Sequence, residues 1–219
     1  MSVNFDENLV DIKNKVTEIG VGLLKSNKLL LLALKDCDNK KFNEAKSHIK
    51  NTSSKTDDID NSIVKVLALY TPEARDLRHV IAYLKITNDL ARASSSTRSF
   101  IRGFTDVYSD VDVDTVNEYA VPMQTSTVKA IELMLTMLNC EDEDEVQELY
   151  NEVLIQENKT DDLYEMVERN LSLQADGSSS FEKFHKMLRA LRKSEKIASR
   201  TISIANLLIY AKIGGVLRS

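Results

Sequence analysis

Tryptophan is missing from this 219-residue chain, and only 2 prolines, 6 glycines and 2 cysteines are present. Proline and glycine punctuate regular structure, so their scarcity excludes a fold of many short strands and tight turns. Leu, Lys, Glu, Asp and Ala are plentiful instead, and they favour long helices. The two cysteines, Cys37 and Cys140, stand alone and match no metal-binding spacing, so free thiols are expected. The longest apolar run, Leu29 to Leu34, is far too short to span a bilayer. Asp6 and Glu7 stand where a signal peptide would carry basic residues, so a cytoplasmic protein is expected. The net charge of −5 argues against a dedicated nucleic-acid binder.

Six segments carry a helical stride instead. In the first, Leu9, Ile12, Val16, Ile19, Leu23 and Leu30 recur every three or four residues. The second runs Phe42, Ala45, Ile49, Thr52, Thr56, Ile59, Ile63, Val66 and Tyr70, one heptad seam over about eight turns. Thr71 and Pro72 read as the N-cap and first turn of a third helix, striped by Leu77, Ile81, Leu84, Asn88, Ala91 and Ser95. Residues 105–113 are acidic and lack a stripe, so a linker is expected there. A fourth segment carries Pro122, Ala130, Met134 and Met137, and a fifth opens in the acidic run Glu141 to Glu145, which suits a helix N-terminus. Asp176-Gly177-Ser178 breaks that fifth segment. The sixth carries Phe181, Phe184, Leu188, Leu191, Glu195, Ala198, Ile202, Ala205 and Ile209, and stops at Gly214-Gly215.

A shift of 104 residues overlays the halves. Phe42 meets Val146, Ile49 meets Val153, Ile63 meets Val167, Leu84 meets Leu188 and Ser95 meets Ser199. Lys55-Thr56-Asp57-Asp58-Ile59 matches Lys159-Thr160-Asp161-Asp162-Leu163. One offset shared by several helices marks a duplication. The expectation is an all-α protein of two tandem antiparallel three-helix bundles, residues 1–104 and 114–219, joined by the linker.

The polar interruptions are where chemistry could sit. Glu195 lies on an apolar seam, and a carboxylate there needs a cation, a hydrogen-bond network or water. Asp57, Asp58 and Asp60 would face Ala91 and Ser95, while Thr160-Asp161-Asp162 would face Glu195. Two readings stay open for these acids: an oxygen-rich cage for a divalent cation, or solvated helix faces. Glu182-x-x-His185 has the spacing of di-iron bundles, but neither His48 nor His79 has a Glu three residues before it. Lys186, Arg189, Arg192, Lys193, Lys196 and Arg200 make one positive face, either solvated or a dock for an acidic partner or phosphate headgroups. No glycine-rich phosphate loop is present, and the serine runs Ser94–Ser96 and Ser178–Ser180 have no nearby base. No enzyme is expected.

Tyr70-Thr71-Pro72-Glu73-Ala74-Arg75-Asp76-Leu77-Arg78, followed by Asn88-Asp89-Leu90-Ala91-Arg92, resembles the third-helix motif of the PhoU family. The acidic turns Asp57-Asp58-Ile59-Asp60 and Asp161-Asp162-Leu163 match that family's aspartate-rich second helix, and Ser194-Glu195-Lys196 echoes its second-repeat motif. The resemblance implies a regulator of phosphate transport and phosphate-responsive signalling that contacts a transporter ATPase and a sensor kinase. It implies a homodimer, peripheral to the membrane at most, that does not bind nucleic acid. Arg75, Asp76, Arg78, Arg92, Arg189, Arg192 and Lys196 are its candidate contacts. Metal-binding members place a Glu and an Asp four residues apart on the third helix of each repeat. Here Ala91 and Ser95 stand at the first pair, Ser199 replaces the second Asp, and Tyr164 stands opposite Asp60 in the repeat. Asp57, Asp60, Asp161 and Glu195 are what remains of the implied metal positions. The alternatives are a divalent-metal-binding carboxylate bundle, or a helical adaptor for another transporter.

Overall fold

The computed structural model describes residues 3–36, 38–105, 114, 116–173 and 179–215. Among them the protein is all-α, in seven helices: α1 (Val3–Asp36), α2 (Asn39–Ser47), α3 (Thr52–Leu69), α4 (Ala74–Thr105), α5 (Val121–Asn139), α6 (Glu143–Leu173) and α7 (Ser179–Lys212). A π-helical turn, Val116–Ala120, leads into α5, whose early Pro122 needs no hydrogen-bond donor there. Cys37, most of the expected linker and the Asp176-Gly177-Ser178 break lie outside the described residues. So do the side chains of Phe181, Glu182 and Phe184.

The helix signals work as local chemistry requires. Asp38 accepts the Lys40 N–H at 2.9 Å at the start of α2, and Asp142 accepts the Glu145 N–H at 2.8 Å at the start of α6. These two caps sit one repeat apart. Gly214 and Gly215 close α7 with φ of +103° and +99°, a region that L side chains avoid. At the same end Lys212, itself buried, donates to the Cys140 carbonyl at 2.5 Å and ties α7 to the turn between α5 and α6.

Three expectations need correction. The seam from Phe42 to Tyr70 does not ride on one helix, because α2 and α3 are separated by the turn 48–51. There the Ile49 carbonyl leaves the helical ladder and accepts from Thr52 Oγ1 at 3.0 Å and Arg98 Nη1 at 2.9 Å. Gly22 makes room for the displaced backbone, since a Cβ on it would stand 2.7 Å from the His48 carbonyl oxygen. The stripe on the third segment is not its buried face either. Leu77, Leu84, Asn88 and Ser95 are exposed, and α4 buries Val80, Tyr83, Ile86, Leu90, Ala93, Thr97, Ile101 and Phe104. α4 packs against both α1 and α7, so its buried arc is wider than one stripe and turned away from it. The helix also starts at Ala74 rather than Thr71, with the Glu73 carbonyl accepting the first bond.

Burial follows the repeat. Leu30 and Met134, Leu34 and Leu138, Phe42 and Val146, Thr56 and Thr160, Ile63 and Val167, Thr97 and Thr201, and Phe104 and Leu208 are all buried pairs one offset apart. The halves do not keep separate cores. One cluster joins Ile12, Leu23, Ile63 and Tyr83 to Ile131, Leu138, Val153 and Ile204, and the other joins Leu30, Phe42 and Phe104 to Met123, Val167 and Leu191. Between them lies a buried polar network. Gln124 Nε2 donates to Asn27 Oδ1 at 2.9 Å, Ser194 Oγ donates to Gln124 Oε1 at 3.0 Å, and Asn27 Nδ2 donates to Thr97 Oγ1 at 3.2 Å. All four side chains are fully buried, so the network fixes α1, α4, α5 and α7 in one register.

Candidate functional site

The acidic steps of the two repeats differ in what surrounds them. Asp57 and Asp60 are exposed on α3. Burial first, and then the Asp57 charge, pushes the Asp60 carboxyl above its ordinary range. The facing positions on α4 hold Ala91, half-buried, and Ser95, exposed, so no acid joins them there. In the second repeat Asp161 and Glu157 on α6 act electrostatically on Glu195 of α7 or are acted on by it. Burial, then Asp161, then Glu195 raise the Glu157 carboxyl. Burial is also the largest influence on Glu195, which it raises; Arg192 works against it and Asp161 with it. Glu195 Oε2 is buried without a hydrogen bond, and Arg192 Nε lies 3.3 Å from it as an ion pair. Arg192 in turn stands 4.8 Å above the Tyr164 ring.

This donor set does not fit a multinuclear metal cluster. Among the described residues no three His, Cys, Asp or Glu side chains are grouped so as to hold an ion. A guanidinium, with an aromatic ring beneath it, stands where a cation would meet Glu195, and the first repeat brings together only Asp57 and Asp60 on one helix. Glu157 was not singled out from the sequence. It lies four residues before Asp161, which is the spacing that puts two side chains on one helix face.

The candidate contact residues fall into separate places. Arg75, Asp76 and Arg78 are in the first turns of α4, where Arg75 is exposed and the other two are half-buried. Asp76 Oδ2 and Arg78 Nε are buried without hydrogen bonds, and the Arg78 guanidinium reaches to 3.9 Å from where a Gly214 Cβ would stand. The cation therefore lies at the C-terminal, negative end of α7. Exposed Val64, Leu67 and Leu69 lead into this turn, and exposed Leu77 and Leu84 follow it. Arg92 is exposed further along α4.

The positive face of α7 is divided. Arg192 and Lys196 act on Glu195. Arg200 Nη1 donates to Asp89 Oδ1 on α4 at 3.2 Å, a bond the sequence reading did not anticipate. Burial raises the Asp89 carboxyl and Arg200 opposes it. Arg189, with Lys186 and Lys193, turns instead to a groove against Ser99, Arg102 and Gly103 of α4. No helix among the described residues is long and apolar enough to cross a membrane.

Fold and surfaces together define a class: a duplicated helical-bundle protein with charged and apolar faces. The comparisons narrow that class. Residues 16–101 match the family model of the PhoU domain. The crystal structure of PhoU from Pseudomonas aeruginosa has a TM-score of 0.84 at 22% identity, covering 96% of this chain and 100% of that one. The phosphate transport system regulatory protein PhoU from Streptococcus pneumoniae has a TM-score of 0.82 at 16% identity, covering 98% and 100%. No curated protein sequence matches the chain. Residues 16–101 are thus similar to a PhoU domain, and nearly the whole chain has the fold of those two structures.

Proposed function

We propose that this protein regulates phosphate transport and phosphate-responsive signalling through contacts with a transporter ATPase, a sensor kinase, or both. The observation that carries the reading is the similarity of residues 16–101 to a PhoU domain, a segment whose own surface holds the motif Pro72–Arg78. Exposed Val64, Leu67 and Leu69 before that motif, Leu77 within it and Leu84 after it are apolar side chains near Arg75 and Arg78 in the sequence, the composition of a protein-contact surface. The streptococcal structure of like fold is a phosphate transport system regulatory protein, which agrees with this reading. We read residues 1–104 and 114–219 as two PhoU-like repeats, and the working unit as a homodimer in the cytoplasm. No catalytic step is needed for this mode of action.

The test is a pull-down with the purified transporter ATPase subunit and the cytoplasmic part of the sensor kinase from the same organism. At least one should be retained at micromolar concentration. Leu69→Asp combined with Arg75→Glu should weaken retention about tenfold or more, as loss of an interface anchor does. Retention of neither component would overturn the reading.

A further inference from the structure

The antiparallel pair α4 and α7 has two ends that the repeat makes equivalent. Asp89 meets Arg200 near one end and Gly103 meets Ala190 near the other. The 104-residue offset carries each end onto the other, so their residues can be compared one by one. At the first end Ile86 and Leu207 are buried and fill the crossing. Their equivalents at the second end are Ala190 and Gly103. That loss of side-chain volume coincides with a groove of about 460 Å³, lined by Ser99, Arg102, Gly103, Lys186, Arg189, Ala190 and Lys193.

Charge changes in step with volume. Asp89 of the filled end becomes Lys193, Asn206 becomes Arg102, Ala82 becomes Lys186, and Lys85 stays basic as Arg189. Among the described residues the groove lining therefore has four cationic side chains and no acid, in a chain whose net charge is −5. Among the described residues no carboxylate pairs with Arg102, Arg189 or Lys193. Uncompensated cations beside low-dielectric walls concentrate anions, and guanidinium groups suit the paired oxygens of phosphate. Lys186, Arg189 and Lys193 follow one face of α7 over about 10 Å, longer than one phosphate group. The volume is that of a small-molecule site.

We propose that this groove binds a small anion carrying two or more phosphate groups in series. Arg102 and Arg189 grip it from the two helices, Lys193 holds its far end, and Ser99 offers a hydroxyl. The site is distinct from the acidic steps and from the Pro72–Arg78 surface, and it does not depend on the regulatory reading above.

The test is calorimetric titration of the full-length protein with ATP, pyrophosphate, orthophosphate and sulfate, together with sedimentation against vesicles containing phosphatidylglycerol. ATP or pyrophosphate should bind one to one, about tenfold or more tighter than orthophosphate or sulfate. Arg189→Gln and Lys193→Gln should each weaken that binding about tenfold with unchanged helicity and melting temperature. Lys129→Gln, an exposed charge elsewhere on α5, should leave it unchanged. A preference for ATP over pyrophosphate assigns the natural ligand to nucleotides, and equal affinity assigns it to inorganic oligophosphates. Absence of binding by both, equal binding of sulfate, insensitivity to the groove variants, or binding to vesicles alone would each overturn the proposal.

Discussion

The second helix of the first repeat is interrupted at 48–51, whereas its counterpart in the second repeat, α6, runs unbroken through 152–155. The buried seam is the same in both, since Ile49 and Val153 are buried at equivalent positions. The difference lies in what receives the backbone. In the first repeat Gly22 clears space for the His48 carbonyl and Arg98 supplies a donor to the Ile49 carbonyl. One offset on, those two positions are Ser126 and Ile202. Ser126 is buried and offers no clearance, and Ile202 cannot donate, so a freed carbonyl there would be an unsatisfied acceptor. A duplicated sequence pattern can thus hold its hydrophobic register while the backbone path diverges, when a few residues outside the seam change size and polarity.

A second divergence between the repeats supplies the largest expected effect. Gln124 lies in the polar network between the halves, and its equivalent is Gly20, where a Cβ would stand 2.6 Å from Leu135 Cδ2. One repeat uses the position to tie helices together, and the other uses it to admit a side chain. Gln124→Leu keeps the volume but strips the donor from Asn27 Oδ1, leaving a buried acceptor unsatisfied, while Ser194 Oγ keeps only Thr127 Oγ1 at 3.0 Å. The loss should be about 2–4 kcal/mol by urea denaturation. A loss below about 1 kcal/mol would mean that the network does not hold the repeats in register.

The helix break comes next. Gly22→Ser installs the second repeat's residue and drives a Cβ against the His48 carbonyl oxygen, which is backbone and cannot swing aside. Overpacking of this kind costs about 1–3 kcal/mol. The reverse change, Ser126→Gly, should cost no more than about 1 kcal/mol from helix propensity and should leave α6 continuous. If Gly22→Ser is neutral in a thermal melt, the glycine is not what permits the turn.

The seams and breakers that mark the helices are short-range signals, and most of them were legible, although the Thr71 cap was not one the structure uses. Pro122 and Gly214 do at their positions what their chemistry dictates, whereas the caps Asp38 and Asp142 emerged only with the structure. The 104-residue offset was legible too, because burial in both copies keeps apolar residues at matching positions. What the sequence did not disclose depends on a third helix. The turn at 48–51 needs Gly22 and Arg98 from two other elements. The exposed stripe of Leu77 and Leu84 misled because α4 buries a wide arc against α1 and α7, so periodicity alone could not say which side faces out. At the acidic steps, the sequence placed Asp161 and Glu195 on neighbouring helices, but the Arg192 pairing and the Glu157 contribution come from helix rotation.

Those acidic steps give the smallest expected effect and the sharpest test of how they differ. Glu157 and Glu195 both have carboxyls raised by burial above the ordinary Glu value of 4.5. The native state then holds protons that the unfolded chain has already released, so stability falls as pH rises from that value through the raised native range. Asp60 in the first repeat is raised in the same sense, but Ala91 offers it no cross-helix acid. Glu195→Gln removes one titrating group and its repulsion from Asp161, and it also removes the half-exposed pairing with Arg192. The two nearly offset, so the change at neutral pH should stay under about 1 kcal/mol. The diagnostic is the difference in melting temperature between variant and parent, which should move in favour of the variant between pH 4.5 and 7.5. Asp60→Asn should show less of that movement. A variant that loses ground as pH rises would show that Arg192, and not the neighbouring acids, sets the energy of Glu195.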